Sequence, residues 1–358
     1  MTAVNPEPES RAHVVIVGAG IAGLAAALRL RSLDRSILIT ILEATPDTGG
    51  KIAGEVVSGC VVDGGADVCI GRKLRSTKLF ESLHLADRVV PVNPNGLSTL
   101  ERRGGALVPA ATHFTDELLT FREGMRELVD AACAALDDVA VVTWARADSL
   151  AEVAPGWTVG TSSSCYHADA VVLAIPANAA ADLLAGLAPL ESSQLKSLEC
   201  PATTTVTMAW LDEDVPHSLD ATGYLVVAPV DSVTACTWTS AKIPTHAADG
   251  ATVIRGYVRG SADGASAAVL HELRETLGIT RRPIFSRTYE WPAGIPVYSA
   301  AHAANVTTLE QALESYPGLY LAGSAFHGVG IPDCILSGER AAEAALAHLS
   351  NHATTISN

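Results

Sequence analysis

Basic residues are scarce in this chain. Its 358 residues include 24 Lys and Arg against 39 Asp and Glu, a formal net charge of −15. Such a surface repels phosphate backbones and anionic lipid, which sets aside nucleic acid and charged membrane surfaces as partners. Charge of either sign is thin at 18%, while apolar residues reach 48%, so the chain has the means to fold. Long hydrophobic runs are also lacking. Val14–Leu28 is apolar but short and carries three glycines, and 168–190 is broken by Asp169, Pro176, Asn178 and Asp182. Neither has the roughly 20 apolar residues of a membrane span. The N-terminal stretch is polar and acidic, without the pattern of a secretory leader. A cytoplasmic protein with no transmembrane segment is expected.

Seven cysteines are scattered with no CxxC and no histidine at metal-ligand spacing. They read as small buried apolar groups in a reducing compartment, and no metal site is expected. There is no Ser/His/Asp triad signature, no HExxH and no GxxxxGK[ST]. Hydrolase, zinc-peptidase and P-loop chemistry are thereby disfavoured.

What is present begins with a βαβ unit. His13–Val17 is β-branched and apolar, as a parallel strand buried on both faces requires. GAGIAG and a Leu/Ala-rich helix follow, and Ile37–Leu42 forms a second strand ending at Glu43. Further on, the apolar spacing over 123–136 predicts a helix, and Val139–Trp144 and Ala170–Ile175 predict strands. Between 201 and 260, four β-rich runs separated by Gly, Pro and Asp predict a mostly antiparallel sheet. Thr308-x-x-Gln311 has the form of a capping box opening a short helix. Leu319–Ala322 reads as a last buried strand, and a helix should start near Pro332.

Gly18-x-Gly20-x-x-Gly23 lies between strand and helix. The first glycine permits the tight turn, the second lets backbone approach a pyrophosphate, and the third allows close helix–strand packing. Ile21 and Ala22 would add helix N-terminal N–H groups. Glu43, 20 residues after Gly23, is placed to accept hydrogen bonds from a ribose diol, with Ala44 beside it. A second glycine cluster, Gly49-Gly50-Lys51, and a third, Asp63-Gly64-Gly65-Ala66, favour a flavin dinucleotide over a nicotinamide one, because their backbone would run on toward an isoalloxazine. Near the other end, Gly323-Ser324 and Val329-Gly330-Ile331 lead into the last helix, whose N–H groups can stabilise charge on a reduced flavin.

Together the segments VVIVGAGIAGLAAALRL, ILEATPDTGGKI, VDGGADVCIGRK, RTYEWPAGIPVYSAAH and GLYLAGSAFHGVGIPDCILSGERAA resemble the FAD-dependent protoporphyrinogen/coproporphyrinogen oxidases of the flavin amine-oxidase superfamily. The resemblance runs from about residue 13 to 345. It implies an α/β fold: a Rossmann-like FAD-binding domain from 1–75, 122–190 and 314–350, a smaller α+β substrate domain with a mostly antiparallel sheet from 76–121 and 191–313, and a polar tail, 351–358. It implies that Gly18, Gly20 and Gly23 hold the FAD pyrophosphate, Glu43 the ribose, and Gly49, Gly50 and Lys51 the underside of the nucleotide. Ala145 would lend its backbone to the adenine. Gly65 and Ala66 would lie near the isoalloxazine, Gly323 and Ser324 at the pyrophosphate and ribitol, and Val329, Gly330 and Ile331 at the flavin edge. Ser324 stands where the family usually has Asn or Asp.

The family's long helical segment over the substrate is missing, since only ALVPAATHFTDELLT separates Gly105 from Phe121. The sequence therefore reads as an FAD-dependent oxidoreductase that moves two electrons from a small molecule to flavin N5, in specialised metabolism, with oxygen or another acceptor reoxidising it. A shortened porphyrinogen oxidase of tetrapyrrole synthesis is the alternative, and a non-redox flavin cyclase or scaffold a second one. His327 is the foremost acid/base candidate, with Trp291 and Tyr298 on the substrate side. A homodimer or a partner closing the flavin face is a further expectation.

Overall fold

The computed structural model describes residues 11–93, 95–111, 116–227 and 232–356. A five-stranded parallel sheet lies at its centre, in the order Ala140–Val142, Leu38–Leu42, His13–Val17, Ala170–Leu173, Leu319–Leu321. The strands are apolar because both faces are covered. Val14 and Ile16 point into one core with the helices Ile21–Leu33 and Ile331–Ile356. Val15 and Val17 point into another with the helices Ala177–Leu184 and His302–Leu313. Each such side chain removed from water contributes about 1.5–3 kcal/mol. One sheet thus draws strands from both ends and the middle of the chain.

A seven-stranded sheet forms the second layer: Phe285–Trp291, Thr203–Leu211, Ala251–Arg259, Val233–Trp238, Gly223–Val226, Leu100–Arg103, Ala106–Pro109. All its pairings are antiparallel except Gly223–Val226 with Leu100–Arg103. Helix Ala265–Leu277 covers one face. The hairpin of Gly54–Val57 and Cys60–Asp63 packs on the other through Val57, Cys60 and Val62. That hairpin presses the turn after Asp63 against the second sheet.

The parallel strands and the four runs between 201 and 260 lie where the sequence puts them, although 228–231 falls outside the described residues. The antiparallel sheet Ala147–Val153, Gly156–Thr161, Cys165–Ala168 was not expected, nor was helix Ala265–Leu277. The helix expected over 123–136 runs only from Arg126 to Ala134, because Gly124 takes φ +89° just before it. The capping box at Thr308 is corrected. Thr308 sits inside helix His302–Leu313, and its hydroxyl donates back to Ala304 O at 3.0 Å. The last helix continues to Ile356, into the segment expected as a polar tail, and 357–358 lie outside the described residues. All seven cysteines are free thiols. No helix among the described residues is long and apolar enough to cross a membrane.

Candidate functional site

At the C-terminal end of His13–Val17 the chain turns sharply. Gly18 adopts φ +104° and donates to Leu42 O at 2.7 Å, and a Cβ there would lie 2.5 Å from Ala174 O. At Gly23 a Cβ would lie 2.0 Å from Gly18 O, so only glycine lets the helix approach the strand. Gly20 differs: a Cβ there would meet nothing nearer than Gly50 Cα at 4.0 Å. Gly20 bridges to Gly49, whose N–H donates to Ala19 O at 2.8 Å. Two glycine turns therefore lie side by side along an open groove. Helix Ile21–Leu33 starts at this groove with no side-chain cap and no acidic residue in its first turn. Its N–H groups and positive dipole end are left for an anionic ligand.

Glu43 closes the groove on one side. Its buried carboxylate accepts from Ala19 N at 2.9 Å, Thr45 N at 2.9 Å and Thr45 Oγ1 at 2.7 Å. Those bonds aim it, and a carboxylate can accept about four, so room remains for a ribose hydroxyl. Ala145 N donates to Glu43 O at 2.8 Å, which brings the expected adenine residue beside the expected ribose residue. On the other side, Gly323 takes φ +127°, and a Cβ there would meet nothing within 4 Å. Its N–H donates to the buried Ser337 Oγ at 3.0 Å. Sequence reading missed Ser337, which lies a full helical segment away from the glycine it holds.

The third cluster is clamped by the second sheet. Gly64 O accepts from Thr205 Oγ1 at 2.6 Å, Trp291 Nε1 at 3.1 Å and Arg255 Nη2 at 3.1 Å. Arg255 Nη2 also donates to Gly65 O. A Cβ at Gly65 would clash with Lys51 O at 1.6 Å, so the second and third clusters are in direct contact. Ala66 is exposed beside them. Lys51 Nζ donates to Gly294 O at 2.6 Å, and burial lowers its pKa from the ordinary lysine value. Beneath the turn sit further charged groups. Lys242 Nζ pairs with Asp67 Oδ2 at 2.9 Å, both largely buried. Burial would raise the Asp67 pKa, but the Lys242 and Arg255 charges overcome it and hold the carboxyl below its ordinary range.

Each of the three candidate catalytic side chains has a polar atom already engaged, and only Trp291 is bonded to this turn. Trp291 donates to Gly64 O and stacks parallel to Tyr289. Tyr298 OH donates to Ser324 O at 2.8 Å and accepts from Gly328 N at 2.7 Å, with its ring stacked on His302. His327 is exposed, and its Nε2 bonds Glu310 Oε1 at 2.6 Å. Val329 is exposed at the turn, and Ile331 opens the last helix, where Cys334 N donates to Gly330 O at 3.0 Å. Lys73 Nζ meets Asp333 Oδ1 at 2.9 Å in that helix's first turn and offsets its negative charge. Elsewhere, Ser240 Oγ bonds the Val253 backbone, and Arg102 and Arg103 pair with Glu272 and Glu101. No metal-binding cluster occurs among the described residues.

Comparison with known proteins agrees with this geometry. Residues 98–346 match the family model of flavin containing amine oxidoreductases, and residues 16–83 that of an NAD(P)-binding Rossmann-like domain. The chain belongs to the flavin containing amine oxidoreductase family. It is an FAD-dependent oxidoreductase, and the glycine turns, the uncapped helix and the Glu43 carboxylate fit that cofactor. Coproporphyrinogen III oxidase of Bacillus subtilis is 24% identical over 468 aligned positions, covering 95% of this chain and 99% of the relative. The alignment is longer than this chain's 358 residues, so the relative carries segments that this chain lacks. The enzyme of the same name from Propionibacterium freudenreichii is 30% identical, over 67% of this chain and 46% of its own length. Among solved structures, a provisionally assigned protoporphyrinogen oxidase from Exiguobacterium superposes with TM-score 0.85 at 22% identity, covering 96% of this chain and all of that one. Cyclohexylamine oxidase from Brevibacterium oxydans superposes at TM-score 0.74 and 15% identity, covering 95% and 100%.

Proposed function

We propose that this chain oxidises a porphyrinogen-type tetrapyrrole. The observation that carries the reading is the near end-to-end alignment with a coproporphyrinogen III oxidase. FAD, when bound, supplies the two-electron acceptor for dehydrogenation. The chain's part is to hold and orient it. The Gly18–Gly23 turn and the N–H groups of helix Ile21–Leu33 would receive the pyrophosphate, and Glu43 the ribose. The Gly64–Gly65 turn, fixed by Thr205, Arg255 and Trp291, would set the plane against which substrate docks. Tyr298 fixes the Ser324–Gly328 turn opposite. With the hydroxyl of Tyr298 and the indole N–H of Trp291 held in these bonds, the reading is orientation of an electron-rich substrate with no dedicated base.

A second reading is favoured by one feature. Only residues 110–117 connect strand Ala106–Pro109 to strand Leu118–Phe121, where the family has its long substrate wall; 112–115 lie outside the described residues. A pocket binds well when it buries most of its ligand. A smaller amine or other activated substrate, in specialised metabolism, fits a reduced wall.

Anaerobic mixing with coproporphyrinogen III, and separately with protoporphyrinogen, tests the choice. Bleaching of the flavin band, and porphyrin fluorescence appearing faster than by air oxidation, is the expected result. An unchanged flavin and a rate equal to that of air would leave the smaller-substrate reading.

A further inference from the structure

We propose that the indole of Trp144 is the surface on which the adenine of the dinucleotide stacks. The inference rests on the FAD reading and is independent of which substrate is oxidised.

Position is the first argument. The turn for the pyrophosphate follows the strand His13–Val17, and the ribose carboxylate, Glu43, follows its neighbour Leu38–Leu42. The next strand outward is the sheet edge, Ala140–Val142. A dinucleotide lies across the carboxyl ends of such strands. Continued past Glu43, it reaches the loop that follows the edge strand, and Trp144 stands in that loop.

That loop is also fixed. Trp144 N donates to Thr45 O at 3.2 Å, and Ala145 N to Glu43 O at 2.8 Å. Thr45 is the same residue that holds the Glu43 carboxylate. The indole is thus carried by the framework that would grip the ribose.

The residue itself is an outlier twice over. Trp144 has φ +57°, in the left-handed region that bulky side chains avoid. It is 74% exposed, whereas Trp157, Trp210 and Trp238 are at most 1% exposed. A strained backbone that holds a large aromatic face out to water is unfavourable for the protein alone. A planar ligand base laid on that face explains both. Every base has a π-face, and stacking needs no hydrogen-bond code.

The test compares Trp144→Ala, Trp144→Asn and Trp144→Phe in the full-length chain, reading FAD affinity by flavin-fluorescence titration and the melting temperature of flavin-free protein. Removing the ring in the Ala or Asn variant should weaken FAD about five-fold to about a hundred-fold, and Phe should stay within about three-fold of the parent. Asn tolerates the left-handed conformation, so the flavin-free Asn variant should melt no lower than the parent. An Ala or Asn variant that binds FAD within about three-fold of the parent would overturn the proposal, as would a Phe variant as weak as Ala. A chain that binds FAD through Trp144 yet leaves porphyrinogens untouched would remove the substrate reading and not this one.

Discussion

A methyl group added at Gly23 would lie 2.0 Å from Gly18 O, while one at Gly20 would reach nothing closer than 4.0 Å. The two glycines of one motif should therefore fail differently. Gly23→Ala forces the helix off the strand and should destabilise the fold by about 1–3 kcal/mol or more. Gly20→Ala should leave the melting temperature of flavin-free protein within a degree or two, yet lower flavin content, because the methyl occupies the cofactor's approach. The ratio of flavin absorbance to protein absorbance, set beside the melting temperature, separates them. Asp63 offers a second residue-scale prediction. Its Oδ1 accepts from Met125 N at 2.8 Å, and its Oδ2 lies 3.7 Å from His246 Nδ1. His246 Nε2 bonds Phe121 O at 2.9 Å, so a neutral imidazole that donates there turns the Nδ1 lone pair toward Asp63. Burial, with the nearby Asp67 charge, pushes the Asp63 pKa up from 3.8 to about 7, and burial lowers that of His246. The proton of the pair therefore belongs on Asp63. A carboxyl whose folded pKa exceeds its unfolded pKa stabilises the fold fully below pH 4 and progressively less as pH rises toward 7. Asp63→Asn should remove that slope, gaining ~2–4 kcal/mol on the parent between pH 4 and 7 in urea unfolding.

At the scale of elements, the hairpin 54–63 packs on the second sheet, and Arg255 fastens the turn that follows it. Arg255→Met would leave the Gly65 carbonyl without its buried donor, while Asp67 keeps its pair with Lys242, and should destabilise by about 1–3 kcal/mol. Thermal melting and limited proteolysis at the hairpin would register it, and unchanged values would show that the clamp is dispensable. The elements legible in the sequence were those whose signal is local. The strand–GxGxxG–helix unit and Glu43 fall within 31 consecutive residues, from 13 to 43. The clamp was not legible, since Arg255 meets Gly64 and Gly65 across some 190 residues. The sheet 147–168 escaped because Leu150 alone is buried in its first strand, which leaves no period to read. Helix Ala265–Leu277 has only a narrow stripe of Ala265, Val269, Leu273 and Leu277, interrupted by the buried Glu272. Trp144 read as the end of a strand, because exposure is a property of the fold and not of the residue.

For the whole molecule, the net charge of −15 bears on substrate capture. Coproporphyrinogen carries four carboxylates, so its approach at low salt meets like charge. On the proposed porphyrinogen reading, its kcat/KM should rise as ionic strength increases to about 0.15 M, where the screening length is about 8 Å. A neutral or cationic substrate should show no rise, and stopped-flow flavin reduction over a salt series distinguishes the cases.

The groove is assembled from opposite ends of the chain. Strand His13–Val17 is two places from Leu319–Leu321 in one sheet, and a Cβ at Gly338 in the last helix would lie 2.0 Å from Ala22 O in the first. During synthesis, then, the phosphate turn is made early but stays half a site until residues 319–338 have left the ribosome. The groove should take up cofactor only in a chain that extends through residue 338. A product stopped anywhere before that helix would carry the whole nucleotide motif and remain colourless.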